Sequence, residues 1–155
     1  MGNSNTLPTP TVDISTLSEK YLFRLNTQTS PKWDYQNPNQ PLTITLLHFD
    51  TIKSTTTGTP LSDEELDTVC YPHDNITLVG ENVYLDSKAI SFNREYTSKT
   101  KGYFTIRDLA NIILNFELSN RQFKNLSGHL DVNTNILKSL KLITPGTFAV
   151  MWESS

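Results

Sequence analysis

Few residues in this chain have the chemistry of a site. Cys70 and His73 stand in a C-x-x-H arrangement, and His48 and Asp50 lie two apart in a stretch with strand-like alternation. The four side chains can therefore be drawn together as a nucleophile, two bases and an orienting carboxylate. The chain holds 3 His and 1 Cys. A structural zinc site needs four ligands, arranged as two such pairs, and no second pair with ligand spacing exists, so no metal is expected. As a nucleophile, with His48, His73 or His129 taking its proton, Cys70 is badly placed. It falls at the expected C-terminal end of a short helix, where the negative end of the dipole raises a thiol pKa. The expected reading is an inert, buried thiol and a structural His48–Asp50 pair. Asp131-Val132-Asn133-Thr134-Asn135 offers oxygens at alternate positions of a calcium loop, but Ile136 stands where Gly is needed and Leu142 where a bidentate Glu is needed. No Gly-rich phosphate loop, G-x-S-x-G elbow or H-E-x-x-H occurs, so the common enzyme fingerprints are missing and no cofactor is expected.

Two features point instead to attachment and association. Met1-Gly2-Asn3-Ser4-Asn5-Thr6 matches the N-myristoylation pattern, which requires Gly2 after removal of Met and Ser or Thr at the sixth position. The signal has meaning in a eukaryote or a virus of eukaryotes. One myristoyl chain gives only marginal membrane binding, with a constant on the order of 10⁴ M⁻¹, and the first thirty residues supply only Lys20 and Arg24 as basic groups. Any membrane contact through Gly2 is thus expected to be weak and transient. The second feature is aromatic. Trp33, Tyr35 and Tyr71 fall in segments read as loops, and loop aromatics outside a core are candidates for a partner-binding surface.

Charge and composition narrow the partners. A net charge of −3 argues against nucleic acid, because phosphate binding needs an excess of Lys and Arg on one face. No apolar run approaches the length of a membrane span, and the N-terminus lacks a basic region followed by an apolar one. A cytoplasmic setting, with peripheral membrane contact if Gly2 is acylated, is the expectation. Thr, Ser, Asn and Gln fill 53 of 155 positions, yet Leu, Ile, Val and Phe number 42, enough for a modest core.

The elements that must position these residues are legible in part. Residues 1–19, with Pro8 and Pro10 among small polar residues, read as a flexible arm. Residues 20–155 read as one domain. Tyr21-Leu22-Phe23-Arg24-Leu25 and Leu42 to Phe49 alternate as strands. Ser62-Asp63-Glu64-Glu65 carries the pattern of a capping box, opening a short helix through about Val69. Ile76–Val79 and Val83–Leu85 read as a hairpin across Gly80-Glu81-Asn82, with a further strand near Ala89–Phe92. Thr105, followed by Asp108, opens the principal helix, about 105–119, whose stripe is Ile106, Leu109, Ile113 and Phe116, with Glu117 off that stripe. Residues 135–140 form a short helix or a strand. Pro145-Gly146 makes a turn into a closing strand with Phe148, Val150 and Trp152 on one face.

The fold class expected is α+β: a single domain with a mainly antiparallel sheet, one principal amphipathic helix and one or two short helices. The function expected is that of a non-enzymatic cytoplasmic interaction or accessory protein, N-myristoylated at Gly2, with an unidentified protein partner. The alternative is a small hydrolase-like enzyme with a site around His48, Asp50, Cys70 and His73. A structural or virion component is the third reading.

Overall fold

The structure, a computed structural model, describes residues 12–29, 44–98, 101–126 and 134–154. It is a mixed α+β fold with predominantly antiparallel pairing and one long helix. Gly2, Trp33 and Tyr35 lie outside the described residues.

The segment expected to end the arm is part of the core. Asp13 Oδ1 accepts from the Ser15 N–H at 2.8 Å, starting a 3-10 turn, Ile14–Thr16, that runs into α1 (Leu17–Lys20). Val12, Ile14 and Leu17 are buried. Their apolar side chains have enough area to hold residues 12–17 against the core.

Alternation then places Phe23 and Leu25 inside and Arg24 outside, across β1 (Tyr21–Leu22) and β2 (Leu25–Thr29). β2 pairs antiparallel with β3 (Ile44–Phe49), Asn26 opposite His48 and Leu25 opposite Phe49. β1 pairs with β4 (Lys53–Ser54). The capping box forms as expected: Ser62 Oγ accepts from the Glu65 N–H at 3.2 Å and Glu65 Oε1 from the Ser62 N–H at 3.1 Å. The helix it opens, α2 (Asp63–Leu66), is shorter than expected. Val69, Cys70 and Tyr71 form strand β5 instead, because a β-branched and an aromatic residue flanking a small buried one fit a pleated, buried ladder better than a helix end.

β6 (Asn75–Val79) is buried at Ile76 and Leu78. The expected hairpin across residues 80–82 does not form. β7 (Val83–Leu85) turns back on β8 (Lys88–Ile90), and β6 pairs antiparallel with β9 (Asn93–Thr97). The tight turn is Asp86-Ser87, with φ of 52° and 65°, the positive pair of a two-residue hairpin loop. Asp-Ser lacks the Gly that advertises such a turn. β10 (Phe104–Thr105) pairs with β5 and leads into α3 (Ile106–Leu126). β11 (Thr134–Thr144) settles the 135–140 alternative as strand, and it returns through Pro145-Gly146, with Gly146 at φ 82°, into β12 (Thr147–Ser154). β12 lies parallel to β6, giving the order β11-β12-β6-β9.

The stripe Ile106, Leu109, Ile113 and Phe116 is fully buried. Thr105 and Asp108 cap each other: the Asp108 N–H donates to Thr105 Oγ1 at 3.1 Å and the Thr105 N–H to Asp108 Oδ2 at 3.0 Å. The helix does not stop near Ser119-Asn120 but continues to Leu126. Glu117, Asn120 and Arg121, whose polarity resembles a helix end, are inward-facing at 1%, 4% and 3% exposure.

Candidate functional site

An open cleft of ≈ 400 Å³ lies where the end of β3, the segment into α2 and the first turns of α3 meet. Local hydrogen bonding shapes it. The Asp50 N–H donates to the Arg24 carbonyl at 2.9 Å, extending the β2–β3 pairing past Phe49. The polar loop 53–60 folds back on itself, Ser54 N–H to Thr59 O at 2.9 Å, so that the Leu61 N–H reaches the Ile52 carbonyl at 3.0 Å. That return places Leu61 beside Ile52, and the capped α2 then presents Leu66. Phe49, Ile52, Leu61, Leu66, Ala110 and Leu114 supply the apolar lining; His48, Asp50, Thr51, Arg107 and Asn111 supply the polar one.

Arg107 ties the cleft together. Its Nη2 lies 3.0 Å from Asp63 Oδ1 and its Nε 3.0 Å from Asp67 Oδ1, so one guanidinium in the first turns of α3 spans both ends of α2. The hydrogen bonds it donates to Asp67 and Asp63 raise its already high pKa. Two carboxylates on one guanidinium leave a net negative charge, to which Asp50 adds. Asp50 Oδ1 accepts from the Asn26 side-chain amide, which orients it on the outer face shared with His48. The charged residues that line the cleft are thus Asp50 and an Arg107 whose charge is met by Asp63 and Asp67.

The four residues considered as a catalytic cluster do not assemble. His48 and Asp50 both line the cleft. Cys70 lies in β5, 1% exposed, its thiol 3.5 Å from the Phe104 carbonyl. Burial, with Asp108 adding to it and a backbone hydrogen bond opposing, pushes this thiol up to about 12. The inertness expected of Cys70 thus comes from desolvation in a strand and not from a helix terminus. His73 is exposed and packs edge-on against Tyr71, ring centroids 5.1 Å apart. Among the described residues no group of three or more His, Cys, Asp or Glu could hold a metal ion.

Tyr71 corrects the expectation of a loop aromatic. It belongs to β5, is 7% exposed, and packs edge-on against Phe148 at 5.7 Å. Its ring fills the core. Sequence reasoning also missed Arg107, whose partners lie 40 and 44 residues away, and the buried Glu117–Arg121 pair. The second had a readable signal, since residues 109, 113, 117 and 121 recur at four-residue spacing on one helix face.

The class that fold and cleft define is a mixed α+β domain with an open surface cleft of apolar and polar lining. Comparison with protein-family models, with curated proteins and with solved structures finds no match for the chain. Among the described residues no helix is long and apolar enough to cross a membrane.

Proposed function

We propose that this protein is a non-enzymatic interaction protein whose cleft receives a short segment of a partner protein, an apolar anchor residue flanked by Lys or Arg. The observation that carries the reading is the apolar lining of Phe49, Ile52, Leu66 and Leu114 beside Asp50, with the one cation of the lining, Arg107, already paired to Asp63 and Asp67. An apolar side chain gains by burial there, and a neighbouring cation gains from the uncompensated acidic charge. The hydrolase-like alternative retains His48 and Asp50 at the cleft, but Cys70 and His73 do not line it. Acylation of Gly2, with transient membrane contact, belongs to the same proposal as a means of delivering the cleft to its partner.

Fluorescence anisotropy with two labelled peptide sets tests this: Leu or Phe flanked by Lys and Arg, and the same anchors flanked by Asp and Glu. The basic set is expected to bind at least tenfold more tightly, with loss of that binding in Leu114→Glu and a weaker salt-dependent preference in Asp63→Asn/Asp67→Asn. Equal binding of the two sets, or undiminished binding by Leu114→Glu, refutes the reading.

A further inference from the structure

Away from the cleft, the C-terminal half of α3 buries an ion pair against β12. Arg121 Nε lies 2.9 Å from Glu117 Oε2, with side-chain exposures of 4% and 1%. Arg121 Nη2 donates to the Thr134 carbonyl at 2.7 Å, and the guanidinium stacks over the Trp152 ring, 5.0 Å from its centroid. Among the described residues, three buried polar atoms in and beside this pair have no protein partner: Arg121 Nη1, Trp152 Nε1 and Asn120 Oδ1. All three residues line one cavity of ≈ 10 Å³. Lys124 and Glu81, 3.7 Å apart, also line it.

We infer that this chamber is a binding site for one internal water molecule, held between Arg121, Trp152 and Asn120. The volume is at the lower bound for one water and leaves no room for anything larger. The donor count selects water over an ion. Arg121 Nη1 and Trp152 Nε1 can only donate. The Asn120 amide is oriented by its Nδ2, which donates to Glu117 Oε1 at 3.4 Å, so its Oδ1 is an acceptor. Water's oxygen takes the two donated bonds and one of its protons goes to Asn120 Oδ1. A halide would satisfy both donors but face the Asn120 oxygen and the Glu117 carboxylate, and a cation would face the guanidinium. Leaving the three groups unmet is the costly alternative, because a buried polar atom without a partner forfeits its hydration with no return. Gly80 belongs to the same design: a Cβ there would collide with the Asn120 amide, so the backbone at residue 80 gives that side chain its place.

The test uses the intact protein with ¹⁵N-labelled tryptophan, the Trp152 indole resonance being assigned by its loss in Trp152→Phe. The expected result is a water cross-peak at the Trp152 indole proton, with the opposite NOE and ROE signs of a long-lived water. The cross-peak should disappear in Asn120→Leu, whose side chain fills the chamber. A crystal structure should place a water oxygen within hydrogen-bond distance of all three atoms. An indole proton without a water contact in the wild-type protein, a direct Trp152–Asn120 hydrogen bond in the crystal, or an anomalous peak at the site after a bromide soak would each overturn the inference. The wild-type measurements stand whether or not Asn120→Leu folds.

Discussion

Cys70 and Asp108 show how a side chain's surroundings set its chemistry here. The Cys70 thiol is pushed up to about 12 chiefly by burial, so little thiolate exists near neutrality. Native protein is expected to react with iodoacetamide at pH 8 roughly 10³-fold more slowly than unfolded protein, the ratio of the thiolate fractions; equal rates would show that the sulfur is not buried. The same shift has a sign for stability: a pKa raised on folding stabilises below the ordinary thiol range and is lost as pH climbs from there toward 12. Asp108 moves the other way. Burial pushes it up, but hydrogen bonds from the Thr105 backbone, the Lys101 ammonium and the Thr105 side chain outweigh that and lower it. Its contribution is present above the ordinary carboxylate pKa and is lost as pH falls through the lower folded value. Asp108→Asn should therefore reduce stability at neutral pH and flatten the acid limb of an unfolding-versus-pH curve. An unchanged acid limb would mean that the carboxylate is not the group being titrated.

At the scale of elements, the helix starts were legible because capping is local chemistry. Ser62 with Glu65, and Thr105 with Asp108, each place donor and acceptor within one turn, and both form. Helix ends were not legible, because tertiary partners decided them. α2 stops early since Val69–Tyr71 pair with β10, and α3 continues through Glu117, Asn120 and Arg121 because those groups face inward. The Glu117–Arg121 pair makes a sharp prediction. Glu117→Leu alone leaves a buried guanidinium without its counter-ion and is expected to cost about 3–5 kcal/mol, whereas Glu117→Leu/Arg121→Met should recover most of that loss. Urea unfolding of the two variants measures the difference. Equal destabilisation by the single and the double change would show that packing, not charge, dominates there.

On the scale of the molecule, one buried cluster runs from Val12 and Leu17 through Phe23, Ile76 and the α3 stripe to Val150. Its side chains are mainly Leu, Ile, Val and Phe drawn from the strands and from one face of α3. The Gly2 signal bears on the whole chain. Intact mass after co-expression with an N-myristoyltransferase is expected to show one myristoyl group, absent from Gly2→Ala, and only the modified protein should sediment with liposomes, weakly. An unmodified mass ends that part of the proposal. What the amino-acid sequence determined by itself was whatever depends on near neighbours: the α+β class, the inward alternation of Phe23 and Leu25 and of Phe148 and Val150, the two capped helix starts and the Pro145-Gly146 turn. Tertiary structure alone decided which strands pair, so that β7 pairs with β8 across Asp86-Ser87 and β6 with β9 and β12, that Tyr71 is core, and that Arg107 bridges Asp63 and Asp67 beside an apolar cleft. The reason is range: a cap or a period is written within a few residues, whereas burial, strand partnership and the convergence of side chains from four segments are properties of the packed chain.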